Sequence, residues 1–456
     1  MQIAEKTQSS WSSRTGFLLA AIGGAVGLGN LWRFPYVAGE YGGGGFVLIY
    51  LAFVFMLGVP LMAAEMMLGR RGHRSPIGAM AALVRDENAS GFWRAIGWIS
   101  VLVPFAGLSY YAVVGAWAID YLALAGVNAF AGFNGEVSGN TFNLRIDQPI
   151  YQAGLHALFV AMTVWVVANG VNKGIERATR ILMPLLFAVL IVLVVYGMVA
   201  GDFARAASFM FKPDFSALSR ESFLVALGQA LFSLGIGVGL MITYSSYMPN
   251  EYSLRGSSTI VCIGDTIAAL LAGFAIFPIV FASDLDPAGG PGLIFVILPI
   301  AFGNMAGGHI FGTLFFALLI FAAFTSAIGM LEPVVAWLEE KRPGTRRRMA
   351  VLAGIAIWIV GLGSVFSFSF MSDFHPLGFL GIDKTYFGIT DFVVANVLPP
   401  INALLIALFV GWVFKSNVID EEFAGDSRGW KRYWRFVIRY VAPIALLIVL
   451  VDFVTS

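Results

Sequence analysis

Eleven stretches of this chain are each long and apolar enough to cross a bilayer, and that limits the fold before any motif is read. A span needs about 20 mainly apolar residues. With soft ends they fall at 16–38, 45–69, 96–124, 150–169, 181–200, 223–248, 257–283, 308–338, 349–369, 391–415 and 436–454. A shorter apolar run at 291–303, between glycine-rich ends, reads as a helix folded over the outer surface. In hydrocarbon each backbone polar group must be satisfied within the protein, so the spans are helices. Of 456 residues 59% are hydrophobic and 12% charged, where a soluble protein carries about 25% charged residues. The expected fold is all-α and integral to the membrane. The polar stretches are short loops, so 1–456 forms one membrane domain.

The net charge of +1 comes without a basic low-complexity run, so nothing points to nucleic acid. A lone Cys262 allows no disulfide within the chain, and His73, His156, His309 and His375 lack metal-ligand spacing. The first apolar segment is too long for a cleavable signal and runs at once into another span. Basic residues stay in the cytoplasm. With the N-terminus inside, the cytoplasmic loops take Arg70, Arg71 and Arg74, then Lys173, Arg177 and Arg180, then the clusters at 341–348 and 415–435. Eleven spans place the C-terminus outside, in the plasma or inner membrane.

Two spans carry glycine where a plain helix would not. "IGGAVGLGNLWRFP" holds Gly23, Gly24, Gly27 and Gly29 ahead of Arg33. "GQALFSLGIGVGLMITYSSY" holds Gly235, Gly237 and Gly239 beside Ser233. Each glycine costs a helix about 1 kcal/mol relative to alanine, and a membrane arginine costs roughly 3 kcal/mol. The two spans are first and sixth, five apart, so a repeat of five would be inverted. Paired interruptions in two halves point to a binding site near the midplane. Freed carbonyls can hold a cation, and freed amides a carboxylate. Close helix packing on glycine is the alternative for either span taken alone. Arg33, Glu65, Asp265 and Glu332 lie inside apolar stretches and need partners. Glu65 reads as an acceptor for broken backbone, Asp120 as reaching water, and Glu332 has no assigned role.

The motifs "AVGLGNLWRFP", "GGGGFVLIY" and "FTSAIGMLEP" resemble the neurotransmitter:sodium symporter family, and the resemblance covers essentially the whole chain. It implies a five-plus-five inverted repeat, about 11–200 and 222–415, with discontinuous first and sixth helices and a peripheral helix at 436–454. Many members have twelve spans; this chain stops after the eleventh. The implied activity is sodium-coupled symport of hydrophobic or aromatic L-amino acids by alternating access, in a monomer or weak dimer. A substrate sensor, or a carrier of another small zwitterion on the same fold, is the alternative. An enzyme would need a nucleophile and base in reach, and the histidines lie away from Ser233 and Ser326. A channel would need rings of selectivity groups rather than one central site.

By the same resemblance two sodium ions are expected. The first would use Ala25, Asn30, Ser233 and Asp265; the second Gly23, Val26, Ala322, Thr325 and Ser326. The donors are all oxygens, which suits a hard cation. Thr325 and Ser326 could instead bond back to their own helix. The substrate would lie among Gly24, Ala25, Leu28, Gly29, Gly107, Tyr111, Phe232, Ser233, Gly235, Val238, Ser326 and Met330. Gly107 and Gly235 leave volume and methionine adapts, which suits bulky apolar side chains. Amine-carrying relatives are taken to place an aspartate at the position of Gly24. An outer gate would pair Arg33 with Asp391 beside Gln229. An inner gate would use Trp11, Tyr247 and Glu340; the usual N-terminal arginine position reads Gln8, with Lys6 as substitute. Asp265 with Ala269 implies a carboxylate in place of chloride, and proton counter-transport as a corollary. Gly174 and Pro184 imply a span-five end that unwinds, unless they are an ordinary loop glycine and membrane proline.

Overall fold

The computed structural model describes residues 10–287 and 292–455. Nine helices among them are long and apolar enough to cross a membrane: Gly44–Gly72, Gly91–Gly126, Pro149–Ala168, Val171–Ala200, Leu254–Ala282, Gly308–Lys341, Arg346–Phe366, Tyr386–Val413 and Arg428–Asp452. The first span is a pair, Arg14–Ala25 and Gly29–Glu40, bent by 51°. The sixth is also a pair, Arg220–Ser233 and Leu240–Ser246, too short singly to cross. The run at 293–304 is the expected short helix, with Leu293, Ile294 and Phe295 buried. It is apolar because it packs on protein: Phe295 meets Trp32, Trp117 and Tyr121 edge-on.

Helices overrun the expected spans at basic ends. The last starts at Arg428 rather than 436, and the fifth at Val171 rather than 181. The apolar stretch marks where lipid contact starts, but the ladder continues while long basic side chains reach water. Seven π turns lie within helices of the described residues, at Gly29–Arg33, Val54–Gly58, Val171–Glu176, Leu293–Ile297, Val393–Val397, Phe409–Val413 and Val437–Val441.

The breaks have local causes. In the first span Val26 turns extended, with ψ of 110°. In the sixth, Gly235, Gly237 and Gly239 have φ of +62°, +84° and +87°, a region open to glycine at little cost. A Cβ on Gly237 would strike the Pro399 backbone, and one on Gly239 would strike Ser100.

The broken backbone is served by buried side chains. The Gly237 amide donates to Glu65 Oε1 at 2.5 Å. Asn402 donates to the Gly237 carbonyl at 2.8 Å and to Ser100 at 2.9 Å. Glu65 is thus the expected backbone acceptor. Asp120 corrects its expectation: it is 2% exposed, accepts from Tyr151 at 2.7 Å and lies 3.6 Å from Arg145. It is consumed by pairing, not solvation.

Glu65→Ala leaves a buried amide without its acceptor, and thermal unfolding in detergent should show a loss of about 1–3 kcal/mol. Glu65→Gln keeps an acceptor and should lose less.

Candidate functional site

Between the two breaks lies a cavity of about 90 Å³. The first span contributes Gly24, Ala25, Gly27, Leu28 and Gly29; the sixth contributes Phe232, Leu234, Gly235, Ile236, Val238 and Leu240. Gly107 and Tyr111 face it from the third span, Ser326 and Met330 from the eighth. Every expected substrate contact except Ser233 therefore lines it. The sequence reading did not find Val103, Tyr110, Val394 and Pro399 on the same wall. The Tyr111 hydroxyl accepts from the Leu28 amide at 3.2 Å, so it reaches the freed backbone of the first span.

Gly24 needs a correction. A Cβ there would run into the Leu240 side chain, whereas a Cβ on Gly27 would point at the Ser326 and Tyr111 hydroxyls. A side-chain carboxylate aimed at the polar part of the cavity fits the direction of Gly27, not Gly24. Leu240 fills the space between Gly24 and Gly329.

Ser233 points away from the cavity, into a cluster with Asn30 and Asp265. Asn30 Nδ2 donates to Ser233 Oγ at 2.9 Å, Asp265 Oδ1 at 2.8 Å and the Asp265 carbonyl at 3.1 Å. Ser233 donates to Asp265 Oδ2 at 2.5 Å. Three oxygens thus converge on one positively polarised group, and all three residues are buried. Such a set suits a hard cation once the amide oxygen of Asn30, now accepting from the Gly27 amide at 3.0 Å, turns inward. Tyr50, within the quoted "GGGGFVLIY", adds its hydroxyl 3.4 Å from Ser233; its place in a quoted motif was the available signal.

The second oxygen set also converges. Ser326 Oγ lies 3.1 Å from the Val26 carbonyl and 3.5 Å from that of Gly23. Thr325 bonds back to Phe321 and Ala322, each at 3.1 Å, as the helix-bonding alternative holds. Ser326 crosses between spans and does not.

The gates differ from expectation. Arg33 and Asp391 share a cavity of about 250 Å³ above Phe232, but no ion pair within 4.0 Å joins them among the described residues. Arg33 lies over the Phe232 ring at 4.7 Å and donates to Asn396 at 3.4 Å. Asp391 is instead engaged by Tyr110. Gln229 donates to the Gly29 carbonyl at 2.9 Å and so serves the break rather than the gate.

At the other end Trp11 and Tyr247 are in contact, while Glu340 is held apart from them by the second-span end. The Trp11 indole donates to the Tyr244 carbonyl at 2.8 Å, and its amide to Tyr247 at 3.3 Å. Ser12 bonds Glu176 through both its amide, at 3.0 Å, and its hydroxyl, at 2.6 Å. Glu340 accepts from the Ser75 amide at 3.1 Å and lies 3.8 Å from Arg74; Gln8 and Lys6 lie outside the described residues. Glu332, unassigned from sequence, pairs with Arg346 and accepts from Tyr247 at 2.8 Å. The end of span five is wound as a π turn, and Gly174 packs on the Val166 carbonyl.

Two broken helices around an apolar cavity, flanked by oxygen clusters and closed at one end, describe a carrier of ions and small solutes. The chain belongs to the sodium:neurotransmitter symporter family, whose model matches residues 8–132 and 144–456. It is a multi-pass, sodium-dependent membrane transporter, not an enzyme. Among its relatives, the uncharacterized sodium-dependent transporter YhdH of Bacillus subtilis (strain 168) is 37% identical, over 99% of both chains. An uncharacterized sodium-dependent transporter of Haemophilus influenzae is 32% identical, again over 99% of both. The crystal structure of MhsT in complex with L-phenylalanine superposes with a TM-score of 0.88 at 39% identity, covering 97% of this chain and 99% of that one.

Glu332→Gln leaves the Arg346 guanidinium, 15% exposed, without its closest partner. Removing one member of a buried pair costs about 3–5 kcal/mol. The variant should therefore unfold at lower temperature, and replacing Arg346 by Met as well should recover part of the loss.

Proposed function

We propose that this chain imports hydrophobic or aromatic L-amino acids by sodium-coupled symport with alternating access. One observation carries the reading: the apolar cavity lies between two helix breaks and directly beside the Asn30, Ser233 and Asp265 cluster. A Cβ on Gly235 would meet nothing within 4 Å, and Gly107 faces the Met330 sulfur. That wall accepts a large apolar side chain. MhsT, a relative of the same fold, holds L-phenylalanine.

The substrate carboxylate would meet the Leu28 and Gly29 amides and the Tyr111 hydroxyl. The first sodium would sit with Ala25, Asn30, Ser233 and Asp265; the second with Gly23, Val26, Ala322, Thr325 and Ser326. Phe232 and Arg33 would close the outer side, Trp11 and Tyr247 the inner. The N-terminus would be cytoplasmic and the repeats would run about 11–200 and 222–415. Inner release would pass through the end of span five, wound here as the π turn Val171–Glu176, a form found mostly as single turns and often at functional sites.

Charge accounting adds a further part. Two sodium ions bring +2 and a zwitterion brings none net, so Asp265 lowers the total to +1. Excess charge in a low-dielectric pocket is costly. With Ala269 one turn on, no serine is present there to help hold an anion. Asp265 takes the part of chloride, and on the empty return it carries a proton outward.

Labelled phenylalanine should enter proteoliposomes only down a sodium gradient, and counterflow should exchange it. Binding without counterflow means a sensor, and rejection of all apolar amino acids overturns the substrate class. Gluconate in place of chloride should leave uptake unchanged, and Asp265→Asn should flatten its pH dependence. Ser326→Ala should raise the sodium concentration for half-maximal uptake about tenfold, as expected for losing one hydrogen-bonding oxygen to a charge.

A further inference from the structure

Away from the transport site, a groove of about 710 Å³ lies between the fourth and ninth spans. Ala157, Ala161 and Trp165 line it at four-residue spacing on one helix; Val351 and Ile355 face them from the other. These spacings put each set on one helix face. The groove exists because the contact is uneven. Gly354 lets Val164 close against the ninth-span backbone, while the alanines beside it are too small to fill the space between the helices. Trp165, Val351 and Ile355 stay 72%, 47% and 49% exposed.

The groove has a polar end. Its lining runs from Ala157 to Ala168 and Asn169, where Arg347 meets it from the start of the ninth span. Eleven residues of helix rise about 16 Å, close to the ~15 Å depth of one leaflet of hydrocarbon. Arg346, next in the chain, is taken up by Glu332, Glu339 and the Val167 carbonyl. Arg347 is exposed and makes no ion pair or hydrogen bond among the described residues. Lys341, Arg342 and Arg348 share its loop and helix start.

We propose that this groove is a binding site for one anionic phospholipid, with an acyl chain against Ala157, Ala161 and Ile355 and the phosphate on Arg347. Depth and charge together select the occupant. An apolar trough one leaflet deep, ending on an unspent guanidinium at headgroup level, matches a lipid with a negative head. The bound lipid would brace the fourth span against the ninth where their own side chains leave a gap.

The test uses the full chain in detergent, followed by native mass spectrometry with phosphatidylglycerol or phosphatidylcholine of matched tails. Phosphatidylglycerol should stay bound at one per chain, about fivefold more tightly than phosphatidylcholine, the effect expected of one basic side chain near a headgroup. Arg347→Gln should erase that preference while a tail is still held. Ala161→Phe, filling the trough from its exposed side, should release both lipids, and Val351→Trp serves where that variant does not fold. Glycerol phosphate, a headgroup without tails, should not compete. Equal retention of the two lipids by the unaltered chain overturns the proposal. So does phosphatidylglycerol retained by folded filling variants, or a dimer that Ala161→Phe dissolves, which would make the groove a protein interface. These residues lie outside the transport cavity, so sodium-driven uptake is a separate readout of the proposed function.

Discussion

A peptide group inside hydrocarbon has no water to turn to, and two helices here release several such groups at mid-membrane. Each unsatisfied group costs on the order of 1–3 kcal/mol. The architecture around the breaks follows from that cost. Glu65 takes the Gly237 amide, Asn402 donates to the Gly237 carbonyl, Gln229 to that of Gly29, and Tyr111 receives the Leu28 amide. The second, third, sixth and tenth spans are thereby tied to the breaks. Those that line the cavity, the Leu28 amide and the Tyr111 hydroxyl among them, are placed to exchange these bonds for a bound solute.

The two ends of the pathway are held by different physics. On the side with basic loops, Trp11 is 4% exposed and is fixed by backbone carbonyls of the sixth span, with Ser12 on Glu176. Farther round, Glu332, Tyr247, Glu339 and Arg346 form one network over the eighth, sixth and ninth spans. On the opposite side, Arg33 leans on an aromatic face and an amide instead of a carboxylate. The structure thus has its contacts made at the end with basic loops and its charge pair apart at the opposite end.

The two breaks and most of the cavity were legible because they violate membrane-helix economy. Glycines clustered at mid-span and charges within apolar runs stand out against leucine and phenylalanine, and motif resemblance placed Asn30, Ser233 and Asp265 together. What stayed hidden came from distance along the chain. Val394, Pro399 and Asn402 reach the site from the tenth span, and nothing in an apolar helix marks which face turns inward when every face is apolar. Glu332 stood out as a charge, but its partner lies on the next helix. Arg33 and Asp391 were chemically matched, and chemistry alone carries no separation. Gly24 and Gly27 are both glycine in one run, and only the directions of their missing side chains tell them apart.

The π turns scattered through the spans have a consequence for how this sequence can change. Each holds one residue beyond the α-helical count in a single turn. Losing a residue from Val393–Val397 or Val54–Gly58 closes that turn into ordinary α-helix and leaves both flanks facing as before. The same deletion in a regular stretch swings everything beyond it by about 100°, carrying lipid-facing side chains into the bundle. Length variation within the spans thus has a few fixed refuges, and those are where insertions and deletions can accumulate without turning a helix inside out.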